Sequence, residues 1–235
     1  FAAALVAALV TVFLVDGSSA IAAFGVGLAV WLMIGSLTDL AVKAGLGNVK
    51  PSVAWRRFSG LPRSVFGTAL AHLGLGLTVL GLVGAICFGT ESVLTMKPQQ
   101  ITELSGKLVR FDNVVPVQGP NYNDERAHFS LLGPAGEVRR EIWSSRRFYP
   151  VRQMNTTEAG IATLGFSQLY ISIGETTDSG LVVRLWWKPF VTLIWGGGLV
   201  MMAGGTLSLL DRRLRIGAPA RRSKKGAAKP AVEAA

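Results

Sequence analysis

The residue with the clearest chemical meaning is His72, in the run Ala69-Leu-Ala-His-Leu-Gly-Leu-Gly76. It lies inside Val65–Phe88, a stretch of 24 residues without a charge. At ~1.5 Å of helix rise per residue the histidine sits about 11 Å beyond the first apolar residue, within hydrocarbon if this helix crosses a membrane. An ionisable side chain at that depth is expensive and marks a functional site by default. Helical spacing puts Thr68, Ala69 and Gly76 on the same face, and all three are small. That is the clearance a flat macrocycle needs when an imidazole nitrogen binds it. The competing reading is a histidine hydrogen-bonded to a neighbouring helix, and the residues alone leave both open. Gly67, Gly74 and Gly81 recur every seven positions on another face, a seam where a second helix can approach closely.

The other candidates are weaker. His128, in Arg126-Ala-His-Phe129, reads as a surface or edge-strand histidine. Cys87, the single cysteine, ends an apolar span and reads as a small buried hydrophobe. One cysteine excludes a disulfide framework, a CxxC redox pair and covalent c-type haem attachment to this chain. The two histidines lie 56 positions apart, which argues against a metal site built from this chain's His and Cys alone. Arg139, Arg140, Arg146, Arg147 and Arg152 could grip carboxylates or propionates in bidentate fashion, but a solvated face or a partner contact fits them as well. No Ser/His/Asp set, phosphate loop or pair of intramembrane carboxylates is present. The sequence holds no self-sufficient catalytic residue set.

The elements that must position His72 are membrane spans. The chain has 235 residues, 50% hydrophobic and only 16% charged. Soluble domains carry roughly 25% charged residues, so the deficit is large. A spanning helix needs ~20 mostly apolar residues. Val65–Phe88 and Phe190–Leu210 meet that, Ala20–Leu37 comes close, and Phe1–Val15 reads as a truncated fourth span of a longer protein. Charge orients them. The loop 39–63 has net charge +4 and the tail 211–235 has net +6, whereas Gly89–Lys188 holds eleven basic and ten acidic residues. Short basic loops stay cytoplasmic. The loop and tail are therefore expected in the cytoplasm, and Asp16–Ser19 and residues 90–187 on the opposite side. The basic residues flank spans or lie in an Ala/Lys/Pro tail that reads as disordered. They suit anionic lipid and not nucleic acid.

The 90–187 insert has a β pattern. Lys107–Phe111 and Leu169–Ile173 are β-rich, Ala127–Leu132 and Val138–Trp143 flank a hairpin loop at Gly133–Gly136, and Gly119–Asp124 is a turn cluster. Val182–Leu185 runs into Trp186-Trp187-Lys188-Pro189, read as an interfacial belt followed by a helix-starting proline. The expected fold is a polytopic α-helical membrane protein of four spans, with a small all-β extracytoplasmic domain inserted before the last span.

Several stretches resemble the CcmF family of haem lyase subunits in bacterial cytochrome c maturation. They are Ala69–Gly74, Tyr149–Gly160, Ser167–Glu175, and Trp187–Trp195 continuing through Gly204–Arg213. The resemblance implies a multi-pass inner-membrane protein that takes haem from the periplasmic carrier CcmE. With CcmH-type partner subunits it would attach that haem to apocytochrome c. It further implies a b-type haem in the membrane with His72 as one axial ligand to its iron, the second axial ligand lying upstream. This segment alone would then be inactive as a holocytochrome c synthase. The alternatives are a transporter subunit, a non-catalytic assembly scaffold, and the related lyase for nitrite reductase-type cytochromes.

Overall fold

The computed structural model describes residues 1–14 and 20–211. The Asp16–Ser19 loop and the basic tail beyond Asp211 lie outside the described residues. The helices are α1 (Ala2–Leu14), α2 (Ala20–Ala44), α3 (Pro51–Ser59), α4 (Arg63–Cys87) and, at the other end of the β region, α5 (Thr192–Leu209). Between α4 and α5 come β1 (Thr90–Met96), β2 (Ile101–Leu104), β3 (Lys107–Gln118), β4 (Asn123–Leu132) and β5 (Val138–Tyr149). They are followed by β6 (Met154–Glu158), β7 (Gly160–Leu164), β8 (Ser167–Thr177) and β9 (Gly180–Lys188).

Among the described residues α2, α4 and α5 are long and apolar enough to cross a membrane, while α1 is apolar but has only 13 residues. Small residues hold them together. A Cβ at Gly74 would stand 2.5 Å from the Gly197 carbonyl oxygen, and one at Gly67 would stand 2.6 Å from that of Gly204. Gly81 meets the backbone of Phe190 and Ile194 in the same way. The expected glycine seam is thus the α4–α5 contact, antiparallel, with glycines seven apart on both helices. Without side chains between them, dispersion between backbones replaces the hydrophobic drive that lipid does not supply. Gly76 does a different job from the one expected. A Cβ there would meet Met33 Cγ at 2.6 Å and the Ala29 carbonyl at 2.9 Å, so α2 fills the space expected to be free beside His72.

The β region is a sandwich of a five-stranded sheet, β2-β3-β4-β5-β6, on a four-stranded sheet, β1-β9-β8-β7. Alternation drives it: Leu169, Ile171 and Ile173 point inward from β8 while Tyr170 and Ser172 point out. They pack on Val109, Phe111, Phe129 and Ile142 of the facing sheet, with Val183 and Leu185 of β9 beside them. The hairpin at Gly133–Gly136 and the turn at Gly119–Tyr122 form where expected.

Four boundaries differ from the sequence reading. Helix α2 does not stop at Leu37 but runs to Ala44, because Asp39 and Lys43 pair one turn apart and extend it. The stretch 39–63 is therefore not a plain loop; it holds the end of α2 and all of α3. Pro189 does not start α5. It closes β9, Phe190 turns the chain with φ +56°, and the helix begins at Thr192. Strands β1, β2, β6 and β7 went unread: β2 has four residues, and Met154-Asn-Thr-Thr-Glu158 is an edge strand with no apolar alternation.

Candidate functional site

His72 projects beside a cleft between α2 and α4 of about 290 Å³, lined by Trp31, Leu32, Gly35, Ala69 and the polar Ser36, Asp39 and Thr68. Its Nδ1 lies 2.8 Å from the carbonyl oxygen of Thr68, one turn earlier in α4. A carbonyl oxygen only accepts, so Nδ1 carries the proton and Nε2 keeps a free lone pair. The ring bonds within its own helix and not across to a neighbour. Ala69 is buried and Gly35 carries no side chain, so the wall of the cleft beside the ring is low. The volume is at the lower end of the ~300–1,000 Å³ of small-molecule sites. A large flat cofactor would enter this cleft by one edge, its other faces requiring walls from outside this chain. The donor set, one imidazole with its second nitrogen engaged, suits a haem iron.

The site is far from the sandwich. Cys87, where α4 meets the β region, is 15 residues past His72, about 22 Å along a helix. Arg63, at the other end, is nine residues away, or about 13 Å. Two carboxylates that sequence reading did not single out shape the helical layer. Asp39 borders the cleft at the end of α2, and the buried Asp211 accepts a hydrogen bond from the Ser64 backbone N–H at 3.0 Å. Asp211 lies two residues past the end of α5, and it supplies from another element the cap that Pro62 cannot give α4. Its signal was an acidic residue between an apolar span and a basic run.

The five arginines do not form one cluster. Arg139 and Arg140 start β5, and Arg146 and Arg147 lie roughly 20 Å further along at ~3.3 Å per residue. Arg139 pairs with Glu137 at 3.0 Å, and Arg140 donates to the Thr163 carbonyl at 2.7 Å. Hydrogen bonds from its own backbone N–H and from Arg139 hold the Glu137 carboxyl below the ordinary glutamate range. Arg146 pairs with Glu175, and Arg147 with Glu158 and the buried Asp124 while covering the Tyr122 ring. Arg152 lies exposed in the β5–β6 turn.

His128 is not at an edge. It sits on β4, the central strand of the five-stranded sheet, stacked on Trp143 with ring centroids 4.1 Å apart. Asp112 and Glu141 lie 3.4 and 3.5 Å from its two nitrogens. This is a packed polar cluster on the outer sheet face. Cys87 is half-buried at the end of α4, and among the described residues no group of three metal-ligating side chains exists.

Antiparallel apolar helices bearing one imidazole, with a β-sandwich between two of them, define a multi-pass membrane protein of the helical class. Residues 87–189 match the family described as the CcmF C-terminal beta-sandwich. The chain is similar to the cytochrome c-type biogenesis protein CycK of Rhizobium meliloti, 54% identical over 95% of this chain and 34% of that protein. CycK of Bradyrhizobium diazoefficiens is 42% identical over 92% of this chain and 34% of its own length. A solved cytochrome c heme lyase CcmF shares the fold with a TM-score of 0.66 at 19% identity, covering 89% of this chain and 34% of that one. The chain belongs to the CcmF family, and it spans about a third of the length of the curated relatives it matches.

Proposed function

We infer that this chain is part of a membrane haem lyase subunit of cytochrome c maturation, and that His72 is an axial ligand of a b-type haem. The observation that carries the reading is the bond from His72 Nδ1–H to the Thr68 carbonyl, which fixes the tautomer and presents Nε2 for ligation. A b-type haem, when bound, supplies one-electron redox chemistry. The chain's own part is to hold the iron through Nε2, to admit the macrocycle's edge past Ala69 and Gly35, and to keep the ring's orientation through Thr68. A second ligand to the iron would come from outside this chain.

The substrate haem is a separate molecule, delivered by a periplasmic carrier of the CcmE kind and joined to apocytochrome c with CcmH-type partners. In that step a cysteine thiol adds across a vinyl group: a C–S bond forms, the S–H breaks, and its hydrogen goes to the other vinyl carbon, with no net oxidation. The charge balance of the loops supports placing α3 and the basic tail in the cytoplasm and the sandwich in the periplasm. At ~22 Å from His72, the sandwich serves docking and not ligation. A transporter lacks support, because the cleft offers no charged path through the membrane beyond Asp39 at its end.

Complementation tests the reading. Full-length protein carrying His72→Ala, expressed in a strain without its own copy, should reach the membrane in normal amount and support little cytochrome c. Normal cytochrome c levels would remove His72 from the function.

A further inference from the structure

We propose that the membrane-facing end of the sandwich holds a phospholipid from the surrounding leaflet, its phosphate on Lys107 and Arg140. The inference rests on reading α4 and α5 as membrane spans. The chain leaves α4 into β1 and returns from β9 into α5, so both junctions are at one end of the sandwich. The turns at that end are tied to the junctions. Thr90 and Ser105 hydroxyls lie 2.6 Å apart, the Phe190 N–H donates to the Ser167 hydroxyl at 3.2 Å, and the Thr192 hydroxyl donates to the Phe166 carbonyl at 2.9 Å. The β2–β3 and β7–β8 turns therefore share one level, directly over the headgroups, and the pairing of Leu108 with Leu132 brings the β4–β5 turn to it as well.

A groove of about 640 Å³ opens between these turns, with Leu108, Leu131, Leu132 and Leu164 among its lining. Leu131 and Leu132 are buried, so its floor is apolar. Its rim is basic. Arg139 is neutralised by Glu137, but Lys107 and Arg140 have no carboxylate within ion-pair distance among the described residues. Lys107 is poised, donating to the Ser105 carbonyl and lying 4.7 Å over the Trp187 ring. Arg140 is anchored through one nitrogen to the Thr163 carbonyl, which leaves its other donors for an anion. Glu103 is the one carboxylate in the lining, so the rim keeps a net positive charge. Phe166 stands 64% exposed on the β7–β8 turn, an apolar side chain at the level where acyl chains begin. Cationic rim, apolar floor and exposed phenyl match a phosphate, a glycerol backbone and a chain in that order.

Native mass spectrometry of the full-length protein in mild detergent tests this, with phosphatidylglycerol and with diacylglycerol of the same chains. Wild type should retain phosphatidylglycerol over diacylglycerol, and K107Q/R140Q should retain it about tenfold less well, from the loss of charge-assisted bonds. Inorganic phosphate at millimolar concentration should leave the lipid bound. Equal retention by wild type and K107Q/R140Q, or equal retention of the two lipids, overturns the proposal; displacement by phosphate alone assigns the site to a free anion and overturns it too. R140K should keep binding, which separates charge from fold. Recovery of wild type and variants from the membrane fraction checks the span reading separately.

Discussion

Gly74→Ala tests the helix seam that holds His72's helix in place. The new Cβ would stand 2.5 Å from the Gly197 carbonyl oxygen, 0.9 Å inside the 3.4 Å where ordinary contact begins. The obstacle is backbone on both sides, so α4 and α5 must separate. Overpacking of this kind costs about 1–3 kcal/mol. Alanine recovers up to about 1 kcal/mol through its better helix propensity. The net loss is about 1 kcal/mol, or roughly fivefold in the folded population. Gly198→Ala is the control, since nothing lies within 4 Å of a Cβ there. It receives the propensity gain without the clash. Thermal unfolding of the full-length protein in detergent should put Gly74→Ala below wild type by about 1 °C, because the shift per kcal/mol shrinks as the chain lengthens. Gly198→Ala should match wild type or exceed it. A double change at Gly74 and Gly197 should cost less than the sum, because one separation relieves both clashes. Equal melting of Gly74→Ala and Gly198→Ala would refute the seam.

Other expectations follow from named contacts. Arg147→Ala removes one of the two arginines beside the buried Asp124, Arg126 remaining at 3.3 Å, and should destabilise the sandwich by about 1 kcal/mol, read as faster proteolysis between β3 and β5. Asp211→Ala should lower stability by ~0.5–2 kcal/mol through the lost cap on α4, leaving the sandwich protected from proteolysis. Because Glu137 titrates below its ordinary value when folded, its support of the β4–β5 hairpin is present above that value. It is lost as pH falls through the lowered one, and hydrogen exchange at the hairpin should show less acid sensitivity in Glu137→Gln. Alkaline phosphatase fused after Gly136 should be active and fused after Arg222 inactive; the reverse would overturn the orientation.

What was legible in the sequence was what periodicity and length determine. The apolar runs give α2, α4 and α5. The heptad Gly67, Gly74, Gly81 gives a seam for a close helix neighbour, which the structure shows to be α5, and Leu169, Ile171, Ile173 give an inward strand face. Contacts between distant elements were not legible. Gly76 looked like room for a ligand because its neighbour, Ala29 of α2, is 47 positions away in the chain. His128 looked peripheral because nothing in Arg126-Ala-His-Phe129 shows that β4 is central, with Asp112 and Glu141 arriving from strands on either side. The five arginines looked like a cluster because they are near in sequence, yet an extended strand carries Arg139 and Arg147 far apart. For His72 the tautomer was not legible, since that depends on which nitrogen meets the Thr68 carbonyl.

The most direct test of the haem-ligand reading is an optical spectrum of purified full-length His72→Gly with and without added imidazole. Wild type should show the reduced spectrum of a six-coordinate low-spin b-type haem. His72→Gly should be high-spin or depleted of haem, and imidazole entering the vacated space beside Thr68 should restore the low-spin form. An unchanged low-spin spectrum in His72→Gly, without imidazole, would contradict the account.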